Sequence, residues 1–235
     1  MKNKLFFLLL LVLLGFIALK YGNTIYIFFE SDEPSQSIGT PANGSLINGK
    51  RLPTRGENFI CYSYLGALLG RNSIHHKVRD TVIQTYGRLA KEYPDTTFVY
   101  GETGWPGGGS FRPHRTHQNG LSVDFMVPVV NTKGQSVPLP GSVFNKFGYG
   151  IEFDHQGVYR EYRIDFEAMA AHIDTLINTA QKNGLRISRI IFAPDLQEHL
   201  FDTKAGKLIY GRVPFSKNPS WVRHDDHYHI DFEIM

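Results

Sequence analysis

Two short stretches carry residue types that could do metal chemistry. The first is "HRTHQNGLSVDF", His114 to Phe125, in which His117 precedes a glycine and Asp124 interrupts an apolar run. An ionised carboxylate is costly to bury unless a cation or strong donors meet it. The second is "RHDDHYHIDF", Arg223 to Phe232, near the end of the chain. If this stretch is a strand, His227, His229 and Asp231 share one face, and Tyr228, Ile230 and Phe232 turn toward the core. Histidines two apart on a strand face lie ~6.5–7 Å apart. One can therefore ligate an ion while the other stands beside it. Should the two strands pair, His117, Asp124 and His229 converge on one cation. Three protein ligands with an open position fit catalytic zinc, whereas structural zinc is closed by four. A single carboxylate leaves such a site positive and suited to Lewis-acid chemistry. The alternative for the same residues is a hydrogen-bonded polar cluster without an ion.

These strands need a scaffold. Val78, Val82, Tyr86 and Leu89 recur at helical spacing in residues 75–93, and Pro94 ends that helix. "TTFVYGE" reads as a strand, and "LSVDFMV" alternates as a half-buried strand. "DFEAMAAHIDTLINTAQKNG" is an amphipathic helix stopped by Gly184, followed by the strand "LRISRIIFA" and a short helix opened by Pro194. A polar loop leads to the last strand. Strands and helices mix without a regular βα rhythm, so the expected class is α+β: a small antiparallel sheet with flanking helices and long loops. The Gly-rich "PGGGS" loop lacks the G-K-[ST] of a phosphate loop, and no G-x-S-x-G marks a serine nucleophile.

The chain of 235 residues divides into three expected parts. Residues 1–29 hold Lys2 and Lys4, then an apolar run from Leu5 to Leu19, and read as a signal peptide or an uncleaved inner-membrane anchor. The run is shorter than the ~20 residues of a full span, but "IYIFF" extends it. Residues 30–58, rich in Ser, Pro, Gly and Asn, read as tether and surface loop. Residues 59–235 form the globular domain, exported to the periplasm or cell envelope. Lys2, Lys4 and Lys20 account for the whole net charge of +3, so the exported part is neutral and gives no case for nucleic-acid binding. Cys61, the one cysteine, sits in an apolar setting and reads as a core residue.

The combined motifs, with His117, Gly120 and Asp124 followed far downstream by His227 and His229, resemble the LAS metallopeptidases. Within that group, "SIGTPANGSLINGKRLP", "HRTHQNGLSVDF" and "HDDHYH" are similar to the penicillin-insensitive murein endopeptidases over roughly residues 36–232. The resemblance implies an LAS/hedgehog-like zinc peptidase fold and hydrolysis of peptidoglycan crosslinks, chiefly the D-alanyl–meso-diaminopimelyl bond. It implies zinc ligands at His117, Asp124 and His229, and an acid–base role for His227. His224 becomes a catalytic group at the oxyanion, and His114 a holder of a second metal or of substrate. Trp105 and Gln118 are the expected substrate contacts, and Asp225 or Asp226 would orient a histidine ring. Pro113, where glycine is commoner, and the single cysteine depart from the family pattern. The rival functions are a D,D-carboxypeptidase or dipeptidase on the same site, and a zinc-bearing cell-wall binding module without turnover. Neither the oligomeric state nor the number of ions follows from these motifs.

Overall fold

The structure, a computed structural model, describes residues 2–235. Its centre is a five-stranded sheet in the order Leu185–Ile191, His227–Ile234, Ser122–Met126, Phe98–Tyr100, Phe59–Cys61. All neighbours are antiparallel except the last two, which run parallel. The fold is α+β, as the mixed pattern of elements requires.

One face of the sheet is covered by two long helices, α3 (His76–Glu92) and α4 (Phe166–Lys182), which also pack on each other. The apolar positions of α3 expected from spacing, Val78, Val82, Tyr86 and Leu89, are all buried. They meet Val123, Phe125, Tyr228, Ile230 and Phe232 in one core. The rings of Phe125 and Tyr228 stack at 5.5 Å. Helix α4 starts at Asp165, whose carboxylate accepts from the Ala168 amide at 3.0 Å, and ends at Gly184 with φ +70°.

The strand Ser122–Met126 is buried at every position, not at alternate ones. The expected half-buried strand is thus covered on both sides: helices take Val123 and Phe125, and loops cover Ser122 and Asp124. Alternation records which face is apolar, but not whether a loop will roof the other. The polar segment 30–58 also differs from a tether. Gln36–Thr40 and Asn43–Ile47 form a hairpin, and Lys50–Arg51 pairs with Ser73–Ile74. Leu46 and Leu52 are buried. Few apolar residues are needed to anchor a hairpin whose turn residues fix its register. Lys204–Ile209 is likewise a helix where a polar loop was expected, started by the Thr203 side chain accepting from Gly206.

Upstream of the hairpin, α1 spans Lys2–Phe28. It is followed by a short helix, α2 (Tyr64–Leu68), which α1 touches. Cys61 is buried, and burial pushes its thiol up to about 12, the behaviour of an inert core residue.

Candidate metal centre

Strand register brings the two motifs together. His229 lies directly opposite Asp124, His227 opposite Met126, and Asp231 opposite Ser122. The same face of both strands therefore carries His227, His229, Asp231 and Asp124. His117 arrives from the preceding turn with φ +68°, three residues before Gly120 with φ +74°. A Cβ at Gly120 would lie 2.7 Å from Leu46 Cδ2 and 2.9 Å from the His75 amide nitrogen, so only glycine fits this turn.

Asp124 is the hub, and its two oxygens face different groups. Oδ1 lies 2.8 Å from His229 Nδ1 and 3.2 Å from His117 Nε2. Oδ2 accepts from the Tyr149 hydroxyl at 3.0 Å, with His114 Nδ1 at 3.7 Å and His227 Nε2 at 3.8 Å. Ligand atoms from His114, His117 and Asp124 lie within 4.8 Å of one another. His229 borders the same carboxylate, and its ring centroid is 4.8 Å from that of His117. Of the residues expected around an ion or its substrate, His114, His117, Asp124 and His229 thus gather around one carboxylate.

The ring nitrogens are sorted by their outer partners. His117 Nδ1 faces the Thr103 carbonyl at 3.2 Å, so it carries the proton and donates. That leaves the lone pair on Nε2, which is buried and has no hydrogen-bond partner among the described residues. Buried polar atoms are rarely left so, and a cation is the partner this donor geometry fits. His229 Nε2 faces Asp231 at 2.9 Å, and Asp231 also accepts from Ser122 Oγ at 2.6 Å and Arg189 Nε at 3.0 Å. This leaves Nδ1 of His229 toward Asp124. His114 Nε2 meets Glu102 at 2.6 Å, leaving Nδ1 toward Asp124. Two or more nitrogens and one carboxylate, each oriented from behind, form a donor set that suits zinc and its first-row neighbours.

Charge follows the same arrangement. Burial alone would raise the Asp124 pKa, but the surrounding imidazoles of His117, His227 and His229 hold it well below the carboxylate range. Burial lowers the His229 pKa less than Asp231 and Asp124 raise it, and it is pushed up to about 9. Burial dominates at His117, whose pKa is lowered. His227 is raised: Asp226 and Asp124 outweigh its burial.

Asp225 and Asp226 divide their work. Asp226 Oδ1 contacts His227 Nδ1 and so orients that ring. Asp225 instead accepts from the Phe153 amide at 2.6 Å and Arg223 at 2.9 Å, and ties down the loop. His224 stands beside His227, with ring centroids 4.6 Å apart. Its Nδ1 donates to the Val222 carbonyl at 2.8 Å, and burial next to His227 lowers its pKa to about 4. Neutral His224 therefore presents an acceptor at Nε2. A donor role toward an oxyanion, as expected of His224, calls for a proton at Nε2.

A cleft of about 930 Å³ opens over these residues, walled by α2, by Phe147 and Tyr149, and by Trp221. Trp105 and Gln118, the expected substrate contacts, do not line it. Trp105 packs on Phe111 at 5.3 Å and under the Arg71 guanidinium, and Gln118 is held by backbone bonds to Pro41 and Gly109. Both sit behind the site because the glycine loop folds back on the hairpin. Tyr149 and Glu102 carry no sequence signal. Glu102 binds Arg71, Tyr62 and His114 together, which against the effect of its burial hold its pKa at about 2.

An α+β fold whose central strand pair carries a buried histidine–carboxylate cluster, each imidazole fixed from behind, defines a protein with a site that could hold a metal ion at the floor of a cleft. Comparison with known proteins gives the particular lineage. The family described as penicillin-insensitive murein endopeptidase matches residues 37–234, and the chain belongs to that family. A penicillin-insensitive murein endopeptidase of Haemophilus influenzae is 25% identical over 201 residues, 85% of this chain and 64% of that protein. Proteins of the same description from Salmonella paratyphi B and Salmonella newport are 30% identical over 106 residues, 45% of this chain and 37% of theirs. The chain thus spans less than two thirds of the length of these relatives.

Proposed function

We propose that the chain is an exported zinc endopeptidase that hydrolyses peptide crosslinks of peptidoglycan, with the D-alanyl–meso-diaminopimelyl bond as its substrate. His117, Asp124 and His229 hold the cation, and His114 stands as a fourth donor, the third nitrogen, beside them. The observation that carries this reading is the buried, partnerless His117 Nε2 aimed at the Asp124 oxygen that His229 also faces. A cation bound there supplies Lewis acidity toward a carbonyl oxygen and lowers the pKa of water from ~15.7 toward ~7.

The chain's own residues do the rest. His227 has Nδ1 fixed by Asp226 and Nε2 turned toward Asp124, so it takes and returns a proton at Nε2. His224 accepts a hydrogen bond at Nε2 from an amide or water in the cleft. Tyr149 and Glu102 keep Asp124 and His114 in place. Arg115 and Lys146 line the cleft and form no salt bridge among the described residues, which suits a peptide bearing free carboxylates.

Digestion of purified sacculi with and without a chelator tests the reading. Crosslinked dimers are expected to fall to monomers only without chelator. Loss of one terminal alanine from pentapeptides would instead make the protein a carboxypeptidase. Unchanged fragments in both arms would make it a binding module. The paired His227–Asp226 and the adjacent His224 favour turnover, because an ion with a purely structural role needs neither.

A further inference from the structure

The apolar N-terminal helix is built into the folded domain by specific polar contacts. From Leu5 to Ile17 the large apolar side chains of α1 are exposed. One turn further on the helix docks. A Cβ at Gly22 would lie 2.5 Å from Leu68 Cδ1, so the missing side chain is what lets α1 approach α2. Asn23 is 1% exposed, its Nδ2 donates to the Leu52 carbonyl at 2.9 Å, and its Oδ1 accepts from Asn72 at 3.0 Å. The Arg51 guanidinium lies 3.6 Å over the Tyr26 ring. Glu30 accepts from the Arg51 amide at 2.6 Å and pairs with Arg79 at 3.2 Å.

Removal of the chain through Glu30 would take one partner each from Asn72, the Arg51 guanidinium and Arg79, and removal through Gly22 would cut the helix one residue before the buried Asn23. A leader destined for cleavage has no use for such contacts. On the outer side of the docked stretch, opposite the domain, Tyr21, Ile25, Phe28 and Phe29 are exposed, with Thr24 among them and the Lys20 ammonium lying over the Tyr21 ring. Leu5 to Tyr21 rises only ~26 Å as a helix, against ~30 Å of hydrocarbon. The lipid must therefore follow the outer face of α1 down past Ile25, where aromatic rings suit the interface. Leu65 and Leu69, exposed at the α2 wall of the cleft, lie beside the same docking point.

We propose that α1 is kept as a transmembrane anchor, locked to the domain through Gly22, Asn23, Tyr26 and Glu30, so that the α2 wall of the cleft is held against the bilayer surface. The occupant of the apolar face is lipid. A rigid mount of this kind confines the cleft to substrate within a domain's reach of the membrane, where a flexible tether would let it roam. The proposal does not depend on the hydrolytic reading, and its tests read chain mass, crosslinking and lipid contact rather than activity.

The full chain, produced with export in a bacterial host, is expected in the carbonate-resistant membrane fraction with residues 1–22 present by intact mass. The pair Gly22→Cys with Leu68→Cys is expected to form an intramolecular disulfide, whereas Gly15→Cys with Leu68→Cys is not. A dye on Leu69→Cys, in the full chain reconstituted in phosphatidylglycerol–phosphatidylethanolamine vesicles, is expected to be quenched by headgroup-attached nitroxide. As a check that does not rely on the cysteine pair, Asn23→Leu should stay in the membrane but become open to proteolysis between Gly22 and Ser35. A mature chain lacking residues 1–22, no disulfide at the 22–68 pair, or an unquenched dye at position 69 would each overturn the proposal.

Discussion

Tyr149 donates its hydroxyl to Oδ2 of Asp124 at 3.0 Å, while the other oxygen of Asp124 faces His229 and His117. The same tyrosine oxygen accepts from the Glu102 amide at 2.8 Å, so its orientation is fixed on both sides. A residue with no motif of its own thus helps fix which carboxylate oxygen is turned to His117 and His229. Tyr149→Phe keeps the ring packing and removes this bond. Zinc affinity or kcat/KM is expected to fall roughly 10–100-fold with the fold intact, as for other groups that orient a ligand from behind. Competition with a chromophoric chelator, beside the rate on crosslinked muropeptides, measures it.

Ligand and base should separate. His117→Ala and His229→Ala are expected to lose bound zinc and activity together. His227→Ala is expected to retain zinc, because Asp226 and Asp124 bracket that ring without needing it as a ligand, and to lose roughly 10²–10⁴-fold in rate. Metal content by mass spectrometry and initial rates on the same preparations decide the matter. A His227→Ala enzyme of undiminished rate would remove it from the mechanism.

Cation uptake should release a proton. Without metal, His229 has its pKa raised to about 9, by Asp231 and Asp124 against burial, and is protonated at neutral pH. Ligation needs the neutral ring, so affinity is expected to rise up to about tenfold per pH unit from pH 6 to 8 and to level off above pH 9. Calorimetry in buffers of different ionisation enthalpy should show release of about one proton at neutral pH. Equal heats across buffers would rule this out.

His172 sets an acid limit on stability. It is fully buried on α4, contacts the Tyr228 hydroxyl at 2.8 Å through Nδ1, and burial lowers its pKa to about 3. Its unfolded value is ~6.5. Because the folded value is the lower one, its contribution is intact above about pH 6.5 and is lost as pH falls toward 3. Near pH 4 the loss is roughly 3 kcal/mol. Urea denaturation in detergent should show a smaller difference between pH 7 and pH 4 for His172→Gln, whose amide can keep the Tyr228 contact.

Much of this protein was legible before its fold. Period-2 patterning placed His227 and His229 on one strand face, and the pair of motifs named the residues that meet at Asp124, because side-chain alternation is a local property of the backbone. The helices over residues 76–92 and 166–182 followed from apolar spacing and their stop signals for the same reason. Only tertiary structure could decide the rest. The register that sets His229 opposite Asp124, the roof of loops that buries both, and the contacts of Tyr149 and Glu102 all join residues far apart in the chain. Which nitrogen of each histidine is left free was decided there too, by carbonyls and carboxylates that no local pattern specifies. Spacing along a chain can select the ligands, but the direction of a lone pair depends on what stands behind the ring.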